Sequence, residues 1–317
     1  MSGWVRDGRI VYLAMPVLGL LVLFVLAVAL LDQGRMPGVA MPTALFLAAL
    51  FGLVIWAIAR NPGLPRWLRA LPPLLFGLAL VMIWEVGVRV HEVPMVILPA
   101  PSQIGAAMAG NAPMLWADFV QTVLRSALPG YLMGCGAAVT VAILIDRTPF
   151  LQRGLLPVAN LASALPIVGI APIMVMWFGF DWQSKAAVVV LMCFFPMLVN
   201  TMQGLASADR MQADLMRTYA ASYWQTLLLL RLPAAAPMIF TGLKICTTLA
   251  LIGAIVAEFF GTPIVGMGFR ISTEVGRLAL DVVWAEIAVA ALTGTAFYGA
   301  ITLLERAVTF WHPSQRG

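Results

Sequence analysis

Residues 206–236, ASADRMQADLMRTYAASYWQTLLLLRLPAAA, place Asp209, Arg210, Asp214, Arg217 and Arg231 between two long apolar runs, 184–205 and 237–261. A plain connection between packed helices takes roughly two to eight residues, so an insert of this length has work beyond reversing the chain. It reads as two short helices, Arg210 to Tyr219 and Tyr223 to Arg231, separated by Ala220, Ala221 and Ser222 and stopped by Leu232 and Pro233. Ser222 is suited to cap the second helix by accepting a bond from a free backbone N–H, and the small residues let the two helices cross closely. The expectation is a compact knob, shaped to dock in a cleft of another protein.

The flanking runs set the solvent. The chain has 317 residues, of which 62% are hydrophobic and 10% charged, against roughly 45–50% and 25% in an ordinary soluble domain. A bilayer core about 30 Å thick is crossed by roughly 20 apolar residues, and the chain offers about eight such stretches. They fall at 10–31, 41–59, 71–90, 123–145, 155–179, 184–205, 237–261 and 284–304. The fold expected is therefore an all-α membrane protein of transmembrane helices, with no room left for a soluble catalytic domain. The first run follows Arg6 and Arg9 but is too long for a signal-peptide core and lacks a small-residue cleavage site, so it is kept as a helix.

Basic residues orient the helices. With the N-terminus inside, the inner segments carry Arg6, Arg9, Arg60, Arg66, Arg69, Arg147, Arg153, Arg210, Arg217, Arg231, Arg306 and Arg316. The outer segments carry Arg35, Arg89, Lys185, Arg270 and Arg277. The bias places both termini in the cytoplasm. Two further segments interrupt the apolar pattern. Residues 91–122 are prolines followed by an amphipathic run, which fits a short helix along the outer membrane surface. Residues 262–282, TPIVGMGFRISTEVGRLALDV, are glycine-rich and then polar, the kind of backbone tolerated near a membrane where it lines a cavity or is buried in protein.

The knob resembles the EAA signature of ABC importer permeases, which runs Glu-Ala-Ala, a few residues, Gly, about nine residues, and then a hydrophobic-x-Leu-Pro ending. Asp214 stands in the glutamate position, Leu215 and Met216 replace the alanines, and Ala220 takes the glycine position. Trp224, Gln225, Leu232 and Pro233 match. Further stretches are similar to the branch of that family serving nitrate, taurine, alkanesulfonates and thiamin-pyrimidine precursors: LPAPSQI from Leu98, LPIVGIAPIMVMWFG from Leu165, FFPMLVNTMQGL from Phe194, LPAAAPMIFTGLK from Leu232, and AEFFG from Ala257 followed by GMG from Gly266. The resemblance implies a six-helix type I importer core over residues 71–313, preceded by two extra helices in residues 1–70. It also implies a bacterial inner-membrane permease that pairs with a second copy, rests on two cytoplasmic ATPase subunits and receives its solute from an external binding protein. Asp214, Arg217, Ala220, Ala221, Ser222, Trp224, Gln225, Leu232 and Pro233 would then form the ATPase-coupling loop.

Among single residues, Glu258 reads either as an inter-helix hydrogen-bonding group or as a gate. Gly266 and Gly268 beside it, with Pro166, Gly169 and Pro172 in a helix expected to kink, are candidates for the pathway wall. Lys244 is expected to snorkel toward the inner interface or tie to the knob. Glu85, beside Trp84, is placed at an outer interfacial belt. Arg125 either snorkels outward or pairs with Asp118. Arg270 and Arg277 would suit an anionic solute.

Cys135, Cys193 and Cys246 have no CxxC or Cys/His spacing and read as small core residues, with no metal expected. The methionines, spread without a cluster, read as lipid-facing and packing residues. His91 and His312 are too far apart to act together. The chain has no Gly-x4-Gly-Lys-Ser/Thr phosphate loop, HExxH or nucleophile elbow, so it is expected to be neither an enzyme nor a cofactor binder, and ATP must be hydrolysed by a partner. An ion-gradient-driven secondary transporter is the alternative; it would show inverted repeats with paired broken helices.

Overall fold

The computed structural model describes residues 71–148, 167–261 and 264–310, with Gly52, Gly154 and Pro157 as isolated positions. The helices expected at 10–31 and 41–59, together with Pro166 and His312, lie outside the described residues. Those that are described form helices and no strand. In chain order they are α1 Leu71–Val90, α2 Pro101–Gly110, α3 Ala112–Phe119, α4 Leu128–Asp146, α5 Ile167–Phe178, α6 Trp182–Ala206, α7 Arg210–Thr218, α8 Tyr223–Thr226, α9 Leu232–Glu258, α10 Met267–Gly276 and α11 Leu280–Val308.

Four continuous helical stretches among the described residues are long and apolar enough to cross a membrane: Ala112–Asp146, Trp182–Ala206, Tyr223–Glu258 and Leu280–Val308. Two of these correct the expected boundaries. Residues 112–122 do not form a surface helix separate from the span at 123–145; α3 runs into α4 through a π-helical stretch, Val120–Ala127. Likewise the knob's second helix does not stop at Leu232 and Pro233, because α8 runs into α9 through the π-helical stretch Leu227–Arg231. The two joints share a cause. In each, the N–H of the residue before a proline reaches back five residues, Leu128 to Val123 and Leu232 to Leu227. A π turn is one residue wider than an α turn, which gives room for the ring of Pro129 or Pro233 and for the carbonyl it would otherwise strike. Within α5 the helix continues across Pro172.

Two compact units are present. The first contains α1, α2 and Leu278–Trp284. Its polar centre is Glu85, which is buried rather than placed at an exposed interface. Glu85 pairs with Arg89 and accepts bonds from the Ser102 N–H at 2.9 Å and the Ser102 hydroxyl at 2.8 Å, so it satisfies an orphan donor in the first turn of α2. Trp84 packs edge-on against Trp284, with ring centroids 5.0 Å apart.

The second unit runs from Asn111 to Arg277 and resumes at Ala285. Its core lies where α4, α6 and α9 meet, through Tyr131, Cys135, Ala138, Val189, Cys193, Met197, Cys246 and Ala250. Apolar side chains gain little by leaving lipid for another apolar surface, so such helices are held by close backbone approach at small residues. A Cβ on Gly134 would lie 2.9 Å from the Val190 carbonyl oxygen, which shows how closely α4 and α6 approach. The Tyr131 hydroxyl ties α4 to α9 by donating to the Leu243 carbonyl at 3.2 Å. Lys244 does not snorkel; it pairs with Glu305 on α11 at 2.7 Å.

Candidate functional site

The knob is built from α7, the turn 219–222 and α8. Asp209 caps α7 by accepting from the Met211 N–H at 3.0 Å. At the other end the Ala220 N–H donates to Arg217 O and the Ala221 N–H to Met216 O, both at 2.9 Å, and Ala220 has φ of 53°. This is the Schellman motif, whose C′ residue must be left-handed and is usually glycine. The EAA signature's glycine position is therefore a C′ position, and alanine occupies it here against a steric cost of about 1 kcal/mol. Ser222 and Gln225 then form a capping box. The Gln225 N–H donates to the Ser222 hydroxyl at 3.3 Å, and the Ser222 N–H donates to the Gln225 amide oxygen at 2.7 Å.

Arg231, read from the sequence as the end of the knob's second helix and as an inner-face charge, anchors the knob together with Asp146 and Tyr223. Arg231 grips Asp146 at the end of α4 with both terminal nitrogens, and its Nε and Nη2 donate to the Leu205 carbonyl on α6 at 3.1 and 3.0 Å. Tyr223 donates to the same Asp146 carboxylate at 3.0 Å. The Arg147 guanidinium lies 4.8 Å from the Tyr223 ring centroid and 4.6 Å from that of Trp224. Beneath them Leu227, Leu205 and Ala235 form a small apolar floor. The only sequence signal for this anchor is a pair of opposite charges at the same-side ends of two apolar runs, 85 residues apart.

α7 buries none of its residues. Met211, Leu215 and Tyr219, four residues apart along α7, are all more than half exposed, and Trp224 is half exposed. Asp214 and Arg217 form an ion pair of 3.2 Å in full solvent, which contributes little to stability.

At the other end of α9, Glu258 is buried and fully engaged. It accepts from the Thr122 hydroxyl at 2.8 and 3.0 Å and from the Gly268 N–H at 2.8 Å. Thr122 accepts in turn from the Met267 N–H at 2.8 Å. Asp118 takes the Gly266 N–H at 2.6 Å and Arg270 at 2.9 Å, so its partner is Arg270 and not Arg125, which reaches Gln121. Two carboxylates thus sit on the free N–H groups at the start of α10, where the helix dipole favours them. The glycines follow from that closeness. A Cβ on Gly266 would lie 2.7 Å from the Glu258 carboxyl, and Gly266 has φ of 141°. A Cβ on Gly268 would run into the Ile255 carbonyl.

Lys185, expected in an outer loop, is buried on α6 and donates to the Phe180 carbonyl. Arg270 pairs with Asp118, and the exposed Arg277 pairs with Glu274 three residues before it. Gly169 is exposed, and Pro172 lies within α5, whose Ala171 and Met174 share a buried apolar cluster with Ala257, the residue before Glu258.

A family model described as the binding-protein-dependent transport system inner membrane component matches residues 130–310. The chain belongs to this family of ABC importer permeases. The permease is 33% identical over 258 residues to the formylaminopyrimidine transport permease protein ThiX of Halalkalibacterium halodurans, covering 79% of this chain and 99% of that one. It is 31% identical to a probable ABC transporter permease protein of Haemophilus influenzae (75% and 96% covered). It is 28% identical to the taurine transport system permease protein TauC of Escherichia coli (74% and 86% covered). The span matched by the family model contains the knob, its anchor at Asp146, and Glu258 with α10, while Asp118 and Thr122 lie just before it.

Two substitutions test this geometry in the purified permease. Ala220→Gly relieves the left-handed strain and is expected to raise stability by about 0.5–1 kcal/mol, read as a higher thermal unfolding midpoint in detergent. Gly268→Ala sets a methyl group against backbone that cannot move aside. It is expected to cost about 2 kcal/mol and lower the same midpoint by several degrees.

Proposed function

We propose that the knob is the coupling element of the importer: it docks in a cleft of a cytoplasmic ABC ATPase subunit and carries the motion of that cleft into the helix bundle. Two copies of the permease, each on one ATPase subunit, enclose the pathway for a small polar or anionic solute delivered by an external binding protein. What supports the docking reading is the division of labour within residues 206–236. One face is tied to α4 and α6 through Arg231, Asp146 and Tyr223, and the other leaves Met211, Leu215 and Tyr219 bare beside Trp224. Asp214, Arg217, Ala221, Gln225, Leu232 and Pro233 shape and carry that face.

In this orientation both termini are cytoplasmic, a placement supported by the excess of basic residues in the inner segments. The solute class is drawn from the relatives, whose names specify formylaminopyrimidine, aliphatic sulfonates and taurine. Residues 1–70 stand outside the importer core as accessory helices. Glu258, Gly266 and Gly268 hold the outer segment to the bundle, a latch rather than a solvated gate. Pro166, Gly169 and Pro172 contribute to the pathway wall. The family match removes the ground for an ion-gradient-driven transporter.

The test is co-purification of the tagged permease from its native membrane in mild detergent, beside a Met211→Glu/Tyr219→Glu variant. Both positions are exposed, so the fold is expected to survive. An ATPase subunit should accompany the natural chain and fall at least tenfold with the variant. Equal recovery with the variant, or no ATPase with either, would refute the docking reading.

A further inference from the structure

The chain has three cysteines, and the fold brings all three together. Cys135 on α4, Cys193 on α6 and Cys246 on α9 come from separate helices, yet their sulfur atoms lie within 4.8 Å of one another. All three are buried and free of disulfides. Two of the sulfurs are held by reciprocal contacts: Cys193 Sγ lies 3.6 Å from the Cys246 carbonyl oxygen, and Cys246 Sγ lies 3.4 Å from that of Cys193. The sequence reading, in which the cysteines were small core residues and no metal was expected, had no means of seeing this convergence.

We propose that Cys135, Cys193 and Cys246 form a binding site for one soft monovalent metal ion, cuprous or silver. The ligand set selects the softness: three sulfurs, with the apolar Ala138, Met197 and Ala250 in the same cluster, suit a soft ion and give nothing to the oxygen-seeking magnesium or calcium. Nearby, the Tyr131 hydroxyl is already committed to the Leu243 carbonyl.

Charge selects the valence. A site among apolar side chains in a membrane-spanning bundle tolerates little net charge. A monovalent ion entering as one thiol releases its proton leaves one thiolate and two neutral thiols around it, so the net charge of the site stays zero. A divalent ion needs a second thiolate for the same balance, and zinc asks for a fourth ligand. Geometry agrees: with metal–sulfur bonds of about 2.3 Å, three trigonal sulfurs are spaced by about 4 Å, so closing from 4.8 Å takes less than an ångström. The bound ion would tie α4, α6 and α9 at one level of the core.

The competing account is that three small residues meet because three helices cross tightly there. Titrating the reduced, purified permease with silver nitrate, and with copper(I) against a chromogenic copper(I) chelator, separates the two. The expected result is one ion bound per chain, one proton released per ion and a higher thermal midpoint. Binding should weaken at least tenfold in Cys193→Ala and be lost in the triple Cys→Ala variant. The single variants Cys135→Ala and Cys246→Ala, each expected to weaken binding, carry the same test if the triple variant does not fold. Uptake by the single variants equal to that of the natural chain, or no stoichiometric uptake by the natural chain, would overturn the proposal. Neither readout depends on transport or on an ATPase partner.

Discussion

The Arg231 guanidinium joins the ends of three membrane-spanning stretches. It belongs to the joint between α8 and α9, grips Asp146 at the end of α4 and donates to the last-turn carbonyl of Leu205 on α6. The fork of a guanidinium suits this better than an ammonium would, because it holds the carboxylate at two points and keeps further donors for the carbonyl. Tyr223 completes the anchor, and Arg147 covers it. Without such a fixed base, a knob of two short helices would be a flexible loop, since helices of this length have little stability of their own. With it, Tyr223 and Arg231 are fastened to the ends of α4 and α6.

The other end of the same bundle meets the opposite problem. Asp118, Glu258, Glu286 and Lys185 are buried in a unit made of membrane spans, where an unsatisfied charge is costly. Asp118 and Glu258 spend their bonds on the turn that starts α10, whose free N–H groups need acceptors in any case. Glu258, which the sequence offers either as an inter-helix hydrogen-bonding group or as a gate, bonds to Thr122 and to the Gly268 N–H. Glu286 differs: its buried carboxyl oxygens accept no hydrogen bond among the described residues.

Much of this could be read in the residues themselves, and what could not has a common reason. Apolar runs located the spans Trp182–Ala206 and Leu280–Val308 to within a few residues and missed the starts of Ala112–Asp146 and Tyr223–Glu258 by more than ten. The knob followed from its length and polarity, and Ser222 announced the start of α8. These are local properties. The pairings Asp146 with Arg231, Asp118 with Arg270 and Thr122 with Glu258 span 85, 152 and 136 residues. Periodicity along a chain carries no information about such distances, so the pairing of Arg270 with Asp118 was not legible, and the cysteines, rightly read as core residues, gave no sign that they meet. The prolines misled for a different reason. Pro233 is a sound helix stop in an α turn, but a π turn absorbs it, and nothing in LLLLRLP signals the wider turn. The glycine position filled by Ala220 was recognised by pattern alone; the Schellman turn supplies its physical reason.

The claim that Asp146 and Arg231 make the knob one body with the bundle is tested most directly by amide hydrogen exchange across Tyr223–Arg231. The permeases to compare are the natural chain, Asp146→Ala, Arg231→Ala and the double variant. Removing either partner strands a charge and frees the joint, so each single variant should exchange at least tenfold faster there, and the double variant no faster than the quicker single one. Unchanged exchange in both single variants would contradict the account, because the knob would then owe its order to something other than this anchor.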